Sequence, residues 1–461
     1  MNNRMLIKKF EKTLQYEDHW DYRGTSNSER DYVHGFCTYP AMMVPKMQRE
    51  MLSICLEELT VQRPRLIDPF AGSGTILVEG MLRGLDVLGV DINPLAVLLC
   101  KVKTTILEVR ILEKESWLLK TNISRSNDVE DFYFKGIEKW FTPKAIADLS
   151  RIRAAIVIEE NIKIRRFFWA TFCEVIRIVS NSRDCTYKLH IKDIRDIKAY
   201  DKDAVSIFLE TLDYNIKKYK EFHTTMEERG LIKKNGLYKG DVKIIMGDSI
   251  TFLRKTKRKF DLLFTSPPYG DNHTTVSYGQ YSVLSLRWMN WTDIDDSVNE
   301  KLLETLYEID NISLGGMSSN KYLTQSKRDV VNKSATLSKQ VNMITCAAPK
   351  QVNKLVAFYS DMDGFLEALS QKVKPAAVSV WTLGNRKVGK QEIYMNTIIT
   401  ELGKRYGLDL LTSFSRKILN KRMPKINAYK GEHDDLIETM TREHILIFIR
   451  SEQNDGSILA I

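Results

Sequence analysis

Strand-like and helix-like patterns alternate between residues 64 and 105 of the chain. The runs RLIDPF and DVLGVDIN are short and apolar, as in buried strands, and each is followed by a longer segment with helical periodicity. Pro94 opens the second helical segment, at the first-turn position that proline favours. A strand–helix–strand–helix order predicts a parallel sheet covered by helices.

The alternation returns later, after a segment of different character. Residues 106–235 have helical periodicity over long stretches, which predicts a mostly helical insertion. Strand-like runs resume at VKIIMGDSITFL and KFDLLFTSPPY, whereas residues 292–353 are rich in Asn, Ser, Lys and Thr. The chain is therefore predicted to be an α/β protein with one doubly wound, mostly parallel sheet, a helical insertion and a second, irregular insertion.

This pattern divides the chain into five predicted segments without an internal repeat. The segments are 1–105, the N-terminal part and first half of the α/β domain; 106–235, the helical insertion and a candidate for target recognition; 236–291, the second half of the domain with a candidate catalytic motif; 292–353, a loop region or small subdomain; and 354–461, the C-terminal part of the sheet. We expect all of them to be built around a single sheet.

The composition sets broad limits on the class of protein. Of the 461 residues, 43% are hydrophobic and 28% are charged, as in an ordinary globular protein. No run approaches the ~18 apolar residues of a membrane span, and we predict no signal peptide. The six cysteines form no CxxC pair, so we expect no metal site and a reducing, cytoplasmic location. The net charge of +10 favours polyanionic partners such as nucleic acids.

A glycine turn follows the first predicted strand. In LIDPFAGSGT, Gly72 and Gly74 lie between a strand and a helix, where backbone without a side chain can contact a ligand. Asp91 ends the second strand, about 20 residues further on, where an acid can accept hydrogen bonds from both ribose hydroxyls. A plain strand-to-helix turn would show the same glycines. The phosphate-binding pattern is incomplete because position 77 is Leu, which favours a nucleoside without phosphates.

A second motif ends a later strand with two prolines. Proline cannot continue a strand interior, yet TSPPYGD places two of them between Ser266 and Tyr269. DPFAGSGT followed by GVDINPLAV resembles the first two motifs of S-adenosylmethionine-dependent methyltransferases, and TSPPYGD resembles the fourth motif of the DNA amino-methyltransferases. Together the motifs imply the Rossmann-like fold of class I methyltransferases.

The resemblance implies a binding site for S-adenosylmethionine. Asp91 would hold the ribose, and Asp248 matches the acidic position at the adenine amino group, although an aspartate there also suits a helix N-cap. HGFCTYPAMMVPKM (34–47) resembles the segment around the methionine tail, or is a Met-rich core loop. The predicted cofactor-binding residues are Asp68, Pro69, Phe70, Gly72, Gly74, Thr75, Asp91, Ile92, Asp248, Ser249 and Pro40.

The predicted catalytic residues are Ser266, Pro267, Pro268 and Tyr269. An exocyclic amine is a poor nucleophile because its lone pair is conjugated into the base ring. Ser266 Oγ and a rigidly held Pro267 carbonyl could accept its two hydrogens and pull the nitrogen toward tetrahedral geometry. Tyr269 could stack on a flipped base. No cysteine lies in the motif, so a covalent cytosine-C5 mechanism is not expected.

Three stretches are candidates for contacting nucleic acid. Residues 270–291 combine polar donors with aromatic side chains, which could also be core residues; 414–431 is basic without an acid, and could be a solvated loop; 180–190 has phosphate-binding residue types. RKTKRK (254–259) is more typical of a solvated helix end. The residues predicted to contact nucleic acid are Tyr278, Arg416, Lys421, Arg422, Ser182 and Arg183.

These patterns predict a site-specific DNA methyltransferase that modifies a flipped base of double-stranded DNA, with a restriction endonuclease or defence subunit as a potential partner. A serine before the prolines favours cytosine-N4 in this family, whereas aspartate favours adenine-N6; many serine-type members have the reverse motif order. An RNA guanine-N2 methyltransferase is a further alternative, but that family usually has Asn before the prolines and a longer N-terminal RNA-binding module. An inactive DNA-binding subunit is the last alternative, which the intact motifs disfavour.

Overall fold

We analysed a computed structural model of the protein. The residues described are 3–14, 19–22, 30–125, 129–183, 186–199, 202–316, 324, 328–347, 349–388, 391–419, 426–429, 435–438 and 441–452. Within these ranges no helix is both long and apolar enough to cross a membrane.

The described residues form helices and strands that alternate along much of the chain. The helices are α1 (Asn3–Thr13), α2 (Pro45–Glu58), α3 (Thr75–Met81), α4 (Pro94–Lys103), α5 (Val109–Arg125), α6 (Ile137–Trp140), α7 (Pro143–Ile158), α8 (Ile162–Val179), α9 (Ile194–Ala199), α10 (Ala204–Glu228), α11 (Ser249–Lys255), α12 (Tyr278–Trp288), α13 (Glu308–Asn311), α14 (Val330–Lys333), α15 (Ala335–Ala347), α16 (Pro349–Ser370) and α17 (Met395–Arg405). Short 3-10 helices span Tyr32–Gly35, Trp291–Asp293 and Glu300–Leu303. The strands are β1 (Arg65–Asp68), β2 (Asp86–Asp91), β3 (Val242–Met246), β4 (Phe260–Thr265), β5 (Val373–Leu383), β6 (Arg386–Val388), β7 (Gln391–Ile393), β8 (Leu408–Lys417), β9 (Ile426–Tyr429), β10 (Asp435–Glu438) and β11 (Arg442–Arg450).

Seven of the strands form one sheet in the order β3-β2-β1-β4-β5-β11-β8. The first five are mutually parallel, whereas β11 is antiparallel to both of its neighbours. Strand order reverses beside β1, which makes the sheet doubly wound and places a binding crevice at the carboxyl ends of its strands. The predicted doubly wound, mostly parallel, Rossmann-like sheet is confirmed.

Both faces of the sheet are buried at its central strands, which explains why these strands are nearly continuous apolar runs, whereas the edge strands β3 and β8 are partly exposed. All six residues of β4 are buried. In β11, Ile445 and Ile447 face one hydrophobic core, and Leu446 and Phe448 face the other, because side chains alternate along a strand. Helices therefore cover the sheet on both sides.

The region 106–235 is helical in the structure, as its periodicity predicts. Helices α5–α10 occupy most of it, and α8 is deeply buried through Phe167, Phe168 and Trp169. These side chains belong to the same core that packs on one face of the sheet. The helical insertion thus extends the main core, while its limits as a separate segment stay a prediction.

The irregular character predicted for residues 292–353 is wrong for the part that the structure describes. Helices α13, α14 and α15 lie in this stretch, and α16 begins in it. Val330, Leu337 and Ile344 are spaced seven residues apart and join the core on the second face of the sheet. The many polar residues around this narrow apolar stripe hide the helical pattern in the sequence.

A substitution at Gly74 tests how tightly the glycine turn is packed. It precedes α3 with φ 76°, and a Cβ there would lie 3.1 Å from Cys100 Sγ. We expect Gly74→Ala to lower the free energy of unfolding by about 2 kcal/mol more than backbone strain alone would, because the crowded neighbour must move. Urea denaturation measures the difference.

Gly136 provides the matched control. It also precedes a helix, with φ 81°, but a Cβ there would meet nothing within 4 Å. Gly136→Ala should therefore cost only the left-handed backbone strain, about 1 kcal/mol. Equal losses in the two variants would show that Gly74 is not crowded.

Candidate active site

The strands that carry the predicted motifs end side by side. Strand β1 pairs in parallel with β2 and with β4, so Asp68, Asp91 and Thr265 lie at the same edge of the sheet. A cleft opens at this edge, and its empty space, including the part open to solvent, is about 860 Å³. Ligands of doubly wound α/β sheets bind in this position, outside the carboxyl ends of the strands.

Most of the predicted site residues line this cleft. The lining residues from the prediction are Pro40, Pro69, Phe70, Gly72, Thr75, Asp91, Ile92, Asp248, Ser249, Ser266, Pro268 and Tyr278. Four predicted site residues do not line the cleft and lie behind or beside its wall, namely Asp68, Gly74, Pro267 and Tyr269. The structure therefore brings the cofactor motifs and the SPPY motif to one cavity.

Asp91 is tied to the glycine turn by backbone hydrogen bonds. Gly72 N donates to Asp91 Oδ2 at 2.8 Å, and Asn93 N donates to Oδ1 at 2.8 Å. Burial raises the pKa of Asp91 to about 6, although these N–H groups favour the charged form. Each oxygen retains acceptor capacity toward the cleft, which fits the ribose hydroxyls of S-adenosylmethionine. Gly72 leaves room for that ribose because no side chain projects from it.

Asp68 supports the site from beneath the cleft wall. Its Oδ1 accepts from Phe70 N at 3.1 Å and from Thr265 Oγ1 at 2.9 Å, which links the ends of β1 and β4. Burial raises the pKa of Asp68 to about 7. Asp68 therefore supports the turn from behind the cleft lining, and its contact with the cofactor stays a prediction.

Asp248 is both an N-cap and a cleft residue. Its Oδ1 accepts from Thr251 N at 2.7 Å at the start of α11, as the helix-cap interpretation of the sequence expects. The same side chain lines the cleft, so the two interpretations are compatible. Ser249 beside it donates to the carbonyl of Pro69 and joins α11 to the glycine turn.

The segment 34–47 is anchored at its start by a buried ionic cluster. His34 Nε2 lies 3.0 Å from Glu79 Oε1, and Arg49 donates to both Glu79 and Asp31. The pKa of Glu79 is lowered to about 2 by its His34 and Arg49 partners, against the effect of burial. Asp31, His34 and Glu79 have ligand atoms close together, but Arg49 already supplies the neutralising cation there. The cluster therefore acts as a structural anchor.

This anchor places the rest of the segment against the cleft. Tyr39, Pro40, Met42 and Met43 all line the cavity. Tyr39 also packs on Tyr278, with ring centroids 5.8 Å apart. The apolar lining fits the methionine tail expected from the resemblance.

The SPPY motif takes part in a short chain of hydrogen bonds beside the cleft. Ser266 Oγ and Tyr269 Oη are 3.3 Å apart, and Tyr269 Oη donates to Glu443 Oε1 at 3.1 Å. The Tyr269 hydroxyl is therefore occupied within the protein, and the stacking of its ring on a base stays a prediction. Pro268 faces the cavity next to Ser266.

Arg416 and Ser182 are wrong as predicted DNA contacts. Arg416 is 7% exposed and pairs with Glu443, with Nη2 and Oε2 2.6 Å apart, so its charge is already neutralised. Ser182 is 1% exposed and forms a β-bridge with Ile191, which turns its side chain inward. Arg183 next to it is exposed.

The other predicted DNA contacts have different outcomes. Lys421 and Arg422 lie outside the described residues. Tyr278 lines the cleft, whereas two further aromatic residues of the 270–291 stretch, Tyr281 and Trp288, are buried core residues. The core interpretation therefore holds for these two.

Several cleft residues escaped sequence reasoning. Asn93 follows Asp91 and donates to Tyr39 Oη at 3.1 Å and to Ser282 Oγ at 2.8 Å. Asn272 follows the SPPY motif and donates to Asp310 Oδ1 at 3.1 Å. Asn93 lies inside the quoted GVDINPLAV motif and Asn272 directly follows TSPPYGD, which could have drawn attention to them. Further cleft residues lie in the stretch predicted to be irregular, and are Ile309, Ile312, Ser313 and Leu314.

The seven-stranded sheet and the buried acid beside a glycine turn are features of one class of enzyme, the S-adenosylmethionine-dependent methyltransferases. The type II methyltransferase M.MvaI of Kocuria varians is 32% identical over 454 residues, which cover 96% of each chain. M.MjaII, a type II methyltransferase of Methanocaldococcus jannaschii, is 30% identical over 137 residues, 29% of this chain and 25% of that protein. The chain therefore belongs to the DNA amino-methyltransferase family and uses S-adenosylmethionine as the methyl donor.

Two other comparisons add nothing to this assignment. No family model matches the chain. The solved structure of the rRNA methyltransferase aviRa from Streptomyces viridochromogenes covers 92% of this chain and 93% of its own at 11% identity. Its TM-score of 0.32 is too low to support an argument.

The elevated pKa of Asp91 leads to a prediction for cofactor binding. A carboxylate accepts ribose hydroxyls best when it is ionised, and its pKa of about 6 lies above the usual value of Asp. Affinity should be constant above pH 7 and should weaken about tenfold per unit as the pH falls below 6. Calorimetry with S-adenosylhomocysteine measures this without requiring activity.

Asp91→Asn should bind the ligand more weakly at pH 8 and should lose this pH dependence. Asp68→Asn provides the control, because Asp68 lies outside the cleft lining and should leave the dependence below pH 6 in place. A wild-type affinity that does not change between pH 8 and pH 5 would contradict the role of Asp91.

Proposed function

We propose that the protein transfers a methyl group to the N4 amino group of cytosine at a specific site in double-stranded DNA. The observation that carries this proposal is the position of Ser266, whose side chain lies in the wall of the cofactor cleft at the end of β4. A serine at this position is typical of the cytosine-N4 enzymes in the family. Adenine-N6 is the alternative, since the reverse motif order is common among serine-type members.

The residues of the motif have separate roles in this proposal. Ser266 Oγ and the carbonyl of Pro267 accept the two amine hydrogens, which directs the nitrogen lone pair toward the methyl donor. When bound, S-adenosylmethionine would supply the methyl group, with the N–C bond forming as the bond from carbon to the positively charged sulfur breaks and S-adenosylhomocysteine leaves. The methylated amine would then release one of its hydrogens to water as a proton. Pro268 restricts the backbone beside the carbonyl of Pro267.

The proposal also includes a protein partner. The similar proteins are named type II methyltransferases, a name that suits a protein acting beside a restriction endonuclease. We propose such a nuclease, or a defence subunit, as a functional partner. Expression of the nuclease gene in cells that contain and lack this protein tests it, because only methylated cells should survive.

Arg183, together with the neighbouring residues 186–191, is the best-supported candidate for a DNA contact near the cleft. Lys188 Nζ donates to the carbonyl of His273 at 3.2 Å, and Leu189 N donates to Gln280 Oε1 at 3.3 Å. These bonds hold the segment against the chain that follows the SPPY motif. Arg183 is exposed beside it, joined by a hydrogen bond from its N–H to the carbonyl of His190 at 2.8 Å. We propose that Arg183 contacts a DNA phosphate.

Ser266→Ala tests the proposed chemistry. We expect the variant to lose methyl transfer by about 10²-fold or more, because one of two acceptors for the amine is gone, and to retain its affinity for S-adenosylhomocysteine. Base-resolved mapping of DNA from cells that express the wild type identifies the modified atom and the recognition sequence.

Ser285→Ala is the matched control, since Ser285 is a buried serine of α12 outside the cleft lining and should leave transfer unchanged. Wild-type methylation by Ser266→Ala would show that the proposed site is wrong. Modification of adenine in the mapping would overturn the cytosine assignment alone.

Arg183→Ala tests the proposed DNA surface. Removing one phosphate contact should weaken binding to cognate and unrelated duplexes alike, and should reduce the slope of log K against log salt by about 1. Arg254→Ala is the control, because Arg254 lies at the far end of α11 from the cleft edge, with a partly exposed side chain. An unchanged salt slope in Arg183→Ala would exclude the contact.

A further inference from the structure

Two residues outside the SPPY motif extend its hydrogen-bond chain. Glu443 begins the antiparallel strand β11, and Arg416 lies directly opposite it on β8. Glu443 Oε1 accepts from Tyr269, while Oε2 accepts from Arg416 Nε at 2.8 Å and lies 2.6 Å from Nη2. The chain therefore runs from Arg416 through Glu443 and Tyr269 to Ser266.

The partners at each end fix the direction of this chain. Arg416 has only donors, so Glu443 must present acceptors to it, and an ionised carboxylate presents an acceptor to Tyr269 as well. The Tyr269 hydroxyl then donates to Glu443, and its oxygen is left to accept from Ser266 Oγ. With its own hydrogen directed at Tyr269, Ser266 Oγ exposes lone pairs to the cleft.

We propose that Glu443, held by Arg416, is a positioning residue for methyl transfer that orients the Ser266 hydroxyl as a hydrogen-bond acceptor for the target amine. This inference rests on the proposed role of Ser266. It assigns a function to a residue that lies outside every motif quoted from the sequence, and it gives Arg416 a role within the protein.

The surroundings of the chain favour an ordered arrangement. The Glu443 side chain is 15% exposed and the Arg416 side chain is 7% exposed, so water competes little for their hydrogen bonds. Burial raises the pKa of Tyr269 well above its usual value, and the charge of Glu443 adds to this effect. Tyr269 therefore keeps its proton and can serve as the donor to Glu443.

Glu443→Gln is the sharpest variant because it keeps the volume and changes only the donors and acceptors. Arg416 should attract the amide oxygen, which turns the NH₂ group toward Tyr269. Tyr269 would then accept from Gln and donate to Ser266, and the Ser266 hydrogen would be forced toward the amine. We expect the single-turnover rate constant of methyl transfer to fall by about 10²-fold. The dissociation constants for S-adenosylhomocysteine and for cognate DNA should stay unchanged.

Tyr269→Phe tests whether Glu443 acts through the tyrosine hydroxyl. The single variant should also lose about 10²-fold in the same rate constant, because the link to Ser266 is gone while the ring remains. The double variant Glu443→Gln/Tyr269→Phe should then lie within about twofold of Tyr269→Phe alone, since the chain is already broken.

A second Tyr–carboxylate–cation arrangement serves as the matched control. Tyr406 Oη donates to Asp363 Oδ1 at 2.8 Å, and Lys333 Nζ lies 2.5 Å from Oδ2, with all three residues outside the cleft lining. Asp363→Asn makes the same chemical change as Glu443→Gln. It should leave the transfer rate at the wild-type value, whatever it costs in thermal stability.

Three results would overturn the inference. They are a wild-type rate in Glu443→Gln, losses that multiply in the double variant, and an equal rate loss in Asp363→Asn. Failure of the proposed function is detected separately, by assays on the wild-type protein. Adenine modification would remove the cytosine assignment and leave the Glu443 test intact, whereas a wild type that transfers no methyl group to DNA would remove both.

Discussion

The parallel pairing of β1 with β2 and β4 is the constraint on which the whole site depends. Parallel strands end at the same edge of a sheet, so residues that follow them meet in space although they are far apart in the chain. This pairing brings Gly72 close to Asp91. Gly72 N can therefore donate to Asp91 Oδ2, which holds the glycine turn beside the carboxylate. Ser266 follows β4 at the same edge, so the glycine turn, Asp91 and the SPPY motif surround one cavity.

Buried acids are the main electrostatic feature of that edge. Burial raises the pKa values of Asp68 and Asp91, and backbone or hydroxyl donors partly offset its effect in both. Such groups cost stability, which a hydrophobic pair at the same positions would not. Acids with raised pKa values in and beside a cleft are typical of a functional site.

The antiparallel strands β11 and β8 add a second layer to the site. Their pairing places Glu443 opposite Arg416, and the start of β11 at the carboxyl edge of the sheet brings Glu443 to Tyr269. A basic residue in a basic stretch looks like a DNA contact when only the sequence is known. Its actual partner lies 27 positions further along the chain, and cross-strand register, not local composition, selects that partner.

The fold class, the glycine turn, the acid at the end of β2 and the SPPY motif are all recognisable in the sequence, because each depends on local residue types at the end of a strand. Periodicity also identified the helices of 106–235, since their apolar faces are broad. The set of side chains that reach the cleft depends instead on long-range packing. Asn272 and the residues around Ile309 line the cleft, while Asp68 and Gly74 lie behind the wall, because exposure is set by the packing of distant segments. The partners of Arg416 and Ser182 were decided in the same way, by strand pairing between residues whose sequence separation carries no local signal.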